Sequence, residues 1–104
     1  MRAEVLRGHL DLLLLATLER GPRHGYAIVE AIRNASSGAF DLAEGTVYPA
    51  LYRLEAAGLL SSSWTTAAGR RRRVYQLTRR GRTALEDERR EWVEFAGAVQ
   101  AVVA

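Results

Sequence analysis

The segment GLLSSSWTTAAGRRRRVYQLT, from Gly58 to Thr78, decides which fold the chain can form. Between Leu60 and Thr65 the side chains alternate in the manner of a half-buried strand. The next residues, Ala67-Ala68-Gly69 and the start of the arginine run, predict the tip of a hairpin. Val74 to Leu77 is rich in β-forming residues and predicts the return strand. The segment therefore predicts a two-stranded hairpin with a basic tip, in which Trp64 belongs to the core.

The residues after this hairpin predict one long helix. Thr78 is a suitable N-cap, and the positions that follow have a repeating spacing of four and three residues: Gly81, Leu85, Glu88, Trp92, Phe95, Val99 and Val102. Such spacing forms a narrow seam for another helix. About 25 residues at ~1.5 Å each would reach roughly 37 Å. Because this exceeds the width of so small a body, we expect the helix to project and to pack on a partner chain.

The residues before the hairpin predict three helices. The first runs from about Glu4 to Arg20 and is stopped by Gly21-Pro22. Its apolar residues follow one face, but Leu12 and Leu15 occupy the opposite side. A helix that is apolar all round needs cover on both sides, so we expect a partner chain to supply part of that cover.

The second helix is predicted to begin at His24 or Gly25 and to end near Ser36. The third is predicted to begin near Gly45-Thr46 and to end before Gly58, a typical C′ residue. Three helices, a hairpin and a helix form, in this order, a winged helix-turn-helix. The predicted fold is mainly α with a small β-hairpin: residues 1–77 form a winged helix-turn-helix and residues 78–104 a long C-terminal helix, in one structural domain.

The composition excludes several classes of protein. The 104 residues are 48% hydrophobic and 26% charged, an ordinary globular balance. The absence of cysteine excludes disulfide scaffolds, cysteine-ligated zinc and thiol catalysis. The longest unbroken apolar run, Leu12 to Ala16, is too short to cross a bilayer, so no membrane partner is predicted. Glu4 and Asp11 interrupt any signal-peptide pattern, and a cytoplasmic location is expected.

The net charge of +3 conceals an uneven distribution. Residues 67–82 contain seven arginines and no acid, whereas the segments before and after are both net negative. A basic cluster of this kind is typical of phosphate binding. The alternative is a solvated turn, and the charge by itself does not decide between them.

No constellation for catalysis or metal binding stands out. His9 and His24 have no second ligand at metal spacing, and Glu86-Asp87-Glu88 is more typical of a solvated helix face than of an acid–base pair. We therefore predict no enzyme activity, no metal and no cofactor.

Three blocks of this sequence resemble the PadR family of bacterial transcriptional regulators: LRGHLDLLLLATLERGPRHGYAI (Leu6 to Ile28), EGTVYPALYRLEAAGLL (Glu44 to Leu60) and GRRRRVYQLTRRG (Gly69 to Gly81). They cover nearly the whole chain in the right order, and one helix after the hairpin resembles the small subgroup of the family. The resemblance implies a homodimeric transcriptional repressor that binds double-stranded DNA, with residues 1–77 as the DNA-binding domain and residues 78–104 as the dimerisation helix. The third helix would enter the major groove, the hairpin (the wing) would follow the backbone or minor groove, and the first and last helices would form the dimer.

The resemblance, the basic cluster and the exposed positions together predict a set of DNA-binding residues: Tyr26, Thr46, Tyr48, Pro49, Tyr52, Arg53, Arg70, Arg71, Arg72 and Arg73. Hydroxyl groups can contact phosphates or base edges, and Arg53 can read guanine with two hydrogen bonds. The alternatives are that one tyrosine of the third helix packs under the wing, that Arg53 is solvated, and that Tyr26 is a core residue. Because Arg53 is the only basic residue of the third helix, affinity is expected to come mainly from the wing.

The resemblance also implies that a small aromatic or hydrophobic effector weakens DNA binding. In drug-sensing members, a tryptophan at the position of Trp92 stacks on planar ligands at the dimer centre. The alternative is that Trp92 is a plain aromatic of the dimer core. The predicted ligand site comprises Trp92, Leu10, Leu14 and Phe95. The predicted dimer interface comprises Leu12, Leu15, Leu85, Trp92, Val99 and Val102.

A second function remains open, namely a winged-helix module for protein–protein interaction with neither DNA nor ligand. DNA binding without salt dependence would favour it.

Overall fold

The computed structural model describes residues 3–104, which form five helices and three strands. In chain order the elements are α1 (Ala3–Arg7), α2 (Leu10–Thr17), β1 (Arg23–His24), α3 (Gly25–Ala35), α4 (Glu44–Ala56), β2 (Leu60–Ala67), β3 (Arg70–Leu77) and α5 (Arg79–Val103). This confirms the predicted fold, which is mainly helical with a small sheet and has the element order of a winged helix. The prediction for the second helix is also confirmed within one residue.

The wing consists of β2, β3 and the turn between them. The strands pair antiparallel from Leu60 opposite Leu77 to Ala67 opposite Arg70. The two turn residues, Ala68 and Gly69, both have positive φ, at 51° and 75°, as a tight hairpin turn requires. The return strand therefore begins at Arg70 and not at Val74, so all four consecutive arginines lie on a strand.

The third strand of the sheet has no counterpart in the sequence-based prediction. Strand β1 pairs with β3, with His24 opposite Val74, and the strand order is β1-β3-β2. Two residues carry no periodicity, so the sequence offers no pattern that predicts this strand. Its effect is to join the start of α3 to β3, which becomes the central strand of the sheet.

The prediction of one continuous first helix is wrong. A turn at Gly8 and His9 separates α1 from α2, with the His9 N–H donating to the Leu6 carbonyl at 2.9 Å. Leu14 and Leu15 of α2 are both fully buried within this chain. The chain itself thus covers both sides of α2 at these two positions, and a partner is not needed there.

Helix α5 is fixed to the body at its start. The Thr78 hydroxyl accepts from the Gly81 N–H at 3.0 Å and donates to the Gly58 carbonyl at 2.7 Å, which confirms the predicted cap. Gly81 packs so closely that a Cβ there would lie 2.0 Å from the Leu59 carbonyl oxygen. Leu85 is buried in the core of the chain itself, so its predicted place at a dimer interface is not supported. The exposed part of the seam begins at Trp92.

Candidate nucleic-acid interface

A groove lies between α4 and the wing, with a volume of about 770 Å³. Its lining combines the end of β1, the start of α3, the outer face of α4 and both strands of the wing: His24, Gly25, Tyr26, Glu44, Tyr48, Tyr52, Trp64, Arg70, Arg71, Arg72, Arg73 and Tyr75. We call it the tyrosine–arginine groove. Seven of the ten residues predicted to contact DNA line it. The other three, Thr46, Pro49 and Arg53, are exposed on α4 outside the groove.

The tyrosines of the groove differ in burial. Tyr52 projects into solvent, and its ring centroid is 6.3 Å from that of Tyr48. Tyr48 is half-buried against the backbone of Gly25, where a Cβ would approach its ring to 2.6 Å. Burial raises the pKa of Tyr48 above its ordinary value, and the protonated hydroxyl can donate a hydrogen bond. Tyr26 is 48% exposed, which removes the alternative that it is a core residue.

The four arginines of β3 have different surroundings. The Arg73 Nε–H donates to the Ser62 hydroxyl at 2.9 Å, and a guanidinium nitrogen of Arg73 lies 3.5 Å from Glu55 of α4. The other three arginines have no carboxylate partner among residues 3–104. Strand alternation places Arg71 and Arg73 on the side that faces the core, and Arg70 and Arg72 on the opposite side. Free positive charge is therefore concentrated in the half of the strand near the wing tip.

His24 connects the start of α3 to the wing. Its Nδ1 accepts from the Ala27 N–H at 3.3 Å, and its Nε2 lies 2.8 Å from Nη1 of Arg72. Burial, and then the charge of Arg72, lowers the pKa of His24, so the ring is neutral at physiological pH. A neutral imidazole accepts at only one nitrogen, so this point holds one more donor than His24 can satisfy. Because Nδ1 accepts from Ala27, the surplus donor lies where Nε2 meets Arg72, beside the amino-terminal end of α3, and an anion such as phosphate could accept a hydrogen bond from it.

Arg53, the only basic residue of α4, is held by a carboxylate from another helix. Its two terminal nitrogens lie 3.1 and 2.6 Å from the two carboxylate oxygens of Asp11 in α2. The paired carboxylate stabilises the charged guanidinium and raises the pKa of Arg53. The exposed face of α4 thus presents hydroxyl groups and aromatic rings, while its one positive charge is balanced by Asp11.

Trp64 is not the core residue that the sequence predicts, since 56% of it is exposed. The wing extends beyond the body, so the side of β2 that faces the core at Leu60 faces the groove by Trp64. The Arg71 and Arg73 guanidinium carbons lie 4.8 and 5.6 Å from the centroid of the Trp64 ring. The indole is therefore covered by two cationic side chains and not by apolar ones.

A second cavity, which we call the aromatic pocket, lies between the two amino-terminal helices and α5. It measures about 360 Å³ and is lined by Val5, Leu6, His9, Leu12, Leu13, Phe40, Trp92 and Phe95. The His9 ring meets the Trp92 ring edge-on at 5.2 Å between centroids. Trp92 and Phe95 were predicted for a ligand site, but Leu10 faces a neighbouring groove and Leu14 is fully buried in the core. The i, i+3, i+7 spacing of Leu6, His9 and Leu13 could have predicted the wall of the pocket that the amino-terminal helices form.

An apolar row runs along the outer half of α5 and consists of Trp92, Phe95, Val99 and Val102. All four are exposed, Val102 to 85%. Of the other residues predicted at a dimer interface, Leu12 is half-buried beside Trp92, whereas Leu15 and Leu85 lie inside the core of this chain. A contiguous apolar row of this kind is typical of a surface that a partner covers.

None of the helices in residues 3–104 has both the length and the hydropathy of a membrane span. The same residues include no group of three or more side chains placed to hold a metal ion.

The chain is similar to known transcriptional regulators in sequence. The model of the transcriptional regulator PadR-like family matches residues 14–87. Transcriptional regulator Rv3488 of Mycobacterium tuberculosis is 43% identical over 77 residues, which is 74% of this chain and 59% of that protein. This chain thus spans little more than half the length of that relative.

Two solved structures are also similar. A transcriptional regulator from Clostridium thermocellum superposes with a TM-score of 0.89 at 28% identity, covering 98% of this chain and 100% of that one. A PadR family transcription regulator from Clostridium difficile superposes with a TM-score of 0.81 at 31% identity, covering 93% and 100%.

Proposed function

The chain belongs to the PadR-like family of transcriptional regulators, which are DNA-binding proteins and not enzymes. From this premise we propose that it is a homodimeric repressor that binds a pseudo-palindromic operator. Its site of action would be the cytoplasm. The observation that carries the proposal is the tyrosine–arginine groove, where hydroxyl groups of α3 and α4 face the arginines of β3.

In the proposed complex α4 lies in the major groove and the wing follows the adjacent phosphates. Tyr52 and Thr46 are exposed on α4 and can donate to or accept from base edges or phosphates. Arg70 and Arg71 near the wing tip supply charge that no carboxylate of the described chain neutralises. One phosphate would accept a hydrogen bond from the surplus donor beside His24, at the start of α3.

The proposed dimer forms through the apolar row on α5 together with the amino-terminal helices. Pairing through a long helix buries side chains that are otherwise exposed, and this supplies the hydrophobic driving force. A two-fold axis would place two copies of α4 on the same side of the duplex. We therefore expect half-sites about 34 Å apart, which is one turn of DNA.

The proposed effector site is the aromatic pocket. A flat aromatic molecule would contact Trp92 and Phe95 in a cavity whose lining is almost wholly apolar. Because the pocket joins α5 to the helices that would form the dimer, an occupant would change the separation of the two α4 helices. We propose that this change releases the DNA.

The test is binding to the DNA upstream of the gene that encodes this chain, at two salt concentrations, against random competitor. We expect tight, selective and salt-sensitive binding. Replacing Arg71, Arg72 and Arg73 by alanine should weaken binding to all sequences and flatten the salt slope by about 0.9 for each phosphate that is no longer neutralised. An unchanged slope would contradict the role of the wing.

The role of α4 is tested separately with Tyr52→Ala. We expect this change to weaken operator binding more than random-DNA binding, because base contacts specify sequence and phosphate contacts do not. If both fall equally, α4 does not read the sequence. Binding without any salt dependence would instead favour a module for protein–protein contacts.

A further inference from the structure

Trp64 stands on the side of the wing that faces the tyrosine–arginine groove. It lies directly opposite Arg73 in the strand register, and Arg71 lies opposite Thr66, two residues further along the same face. The indole thus lies directly opposite one of the two arginines that point to this side and diagonally opposite the other. Both guanidinium groups are within cation–π distance of its ring, at 4.8 and 5.6 Å.

The contact with Trp64 offsets part of the electrostatic repulsion among the four successive arginines. Four successive guanidinium groups repel one another, and long side chains on an exposed strand sample many rotamers. The face of an indole carries negative quadrupole potential and attracts a cation. Trp64 therefore holds two like charges side by side on the groove side, where each would otherwise turn toward solvent.

The two arginines depend on Trp64 to different degrees. Arg73 is also fixed by Ser62 and Glu55, so its position survives without the indole. Arg71 is an exposed residue near the wing tip and makes the shorter approach to the ring, at 4.8 Å. Loss of the indole should therefore release Arg71 and leave Arg73 in place.

We propose that Trp64 is a positioning residue of the DNA interface, which holds the Arg71 guanidinium toward the phosphate backbone. The inference rests on the proposed function, because it takes the tyrosine–arginine groove as the surface that binds DNA. It adds a residue that is neither basic nor on α4 to the determinants of affinity. Removing the ring should weaken one ordered arginine–phosphate interaction in each subunit.

The experiment measures the full chain binding to a random 30-base-pair duplex by fluorescence anisotropy across a series of salt concentrations. Trp64→Thr keeps a β-forming residue but removes the ring, and Trp64→Phe keeps an aromatic face. We expect Trp64→Thr to bind about two- to five-fold more weakly for each subunit on the DNA, the equivalent of one exposed cation–π contact per subunit, with a salt slope smaller by up to about 0.9 per subunit. Trp64→Phe should retain most of both.

Arg71→Ala provides the decisive comparison. If Trp64 acts through Arg71, adding Trp64→Thr to Arg71→Ala should change neither affinity nor slope further. A wild-type slope for Trp64→Thr, or additive losses in the double variant, would overturn the inference. If Trp64→Thr fails to fold, Trp64→Leu, which is apolar but has no aromatic face, is compared with and without Arg71→Ala on the same criterion.

A failure of the proposed function has a different outcome. If the triple variant of Arg71, Arg72 and Arg73 to alanine binds the duplex like the wild type, the groove is not the DNA surface. If the triple variant loses binding while Trp64→Thr does not, only the role of Trp64 is wrong.

Discussion

Replacing Asp11 by asparagine is expected to tighten DNA binding, because the Asp11 carboxylate competes with DNA for Arg53. The Asp11 carboxylate engages both terminal nitrogens of the Arg53 guanidinium, at 2.6 and 3.1 Å. These nitrogens include those that an arginine uses to read guanine. Arg53 must therefore leave Asp11, wholly or in part, before it can bind a base in that manner.

The size of the effect follows from the exposure of the pair. The Arg53 and Asp11 side chains are 59% and 33% exposed, and exposed ion pairs contribute only about 0–1 kcal/mol. The paired geometry with two hydrogen bonds favours the upper end of that range. Removing a cost of about 1 kcal/mol tightens binding by about five-fold for each subunit on the DNA.

The assay uses a duplex that the wild-type chain selects from a random library, with affinities measured by fluorescence anisotropy at fixed salt. Four variants are compared: Asp11→Asn, Arg53→Ala, the double variant, and Asp41→Asn as the charge-matched control. Asp41 pairs with Arg33 at 3.3 Å outside α4, so its loss changes the net charge equally but frees no side chain of α4.

We expect the gain from Asp11→Asn to disappear when Arg53 is alanine. Weaker or unchanged binding by Asp11→Asn would refute the competition, because the carboxylate would then orient Arg53 productively or not affect it. An equal gain from Asp41→Asn would show a general charge effect and no competition.

Three further predictions concern stability and assembly. Gly81→Ala places a Cβ 2.0 Å from a backbone carbonyl oxygen and should destabilise the chain by about 2–3 kcal/mol in urea unfolding. Gly97→Ala is the control, because its Cβ meets open space, and it should be neutral or stabilising. Equal unfolding midpoints for the two variants would contradict the close packing at Gly81. Because burial and Arg72 lower the pKa of His24 from its ordinary 6.5, the unfolded chain binds more protons in this range. Stability should therefore fall as pH decreases through 6.5 toward the lower folded-state pKa, and His24→Asn, a cap that does not titrate, should reduce this pH dependence of the melting temperature; identical profiles would rule the mechanism out. Val99→Glu puts charge in the apolar row and should give monomers by analytical ultracentrifugation, and a surviving dimer would show that the interface lies elsewhere.

Much of the fold could be predicted because local chemistry and periodicity agree. Gly58 has the positive φ of a C′ residue, at 80°, and Thr78 caps α5 as its position implies. The break between α1 and α2 could not be predicted, because the apolar spacing of leucines continues across Gly8. A helical period specifies which side chains share a face but not whether the backbone is continuous between them.

The candidate site could be predicted by residue type but not by contact. Hydroxyl groups on α4 and arginines on the wing follow from the sequence, whereas Asp11 lies 42 positions before its partner Arg53. The sequence places Trp64 in the core because apolar alternation indicates one sheet face and not how far the body beneath that face extends. For Leu15 the sequence predicts cover by a partner, whereas the chain itself buries this side chain completely.

The distribution of charge across the proposed interface separates affinity from selectivity. Arg70 and Arg71 have no carboxylate partner among the described residues, so their charge is available to any duplex. On α4 the single base is balanced by Asp11, and the exposed face is left with hydroxyl groups that discriminate by geometry and not by charge. Phosphate contacts are alike on every sequence, whereas hydrogen bonds to base edges are not. Selection of an operator would therefore depend on α4 and general attraction to DNA on the wing, and the Asp11–Arg53 pair would keep α4 from contributing non-specific affinity of its own.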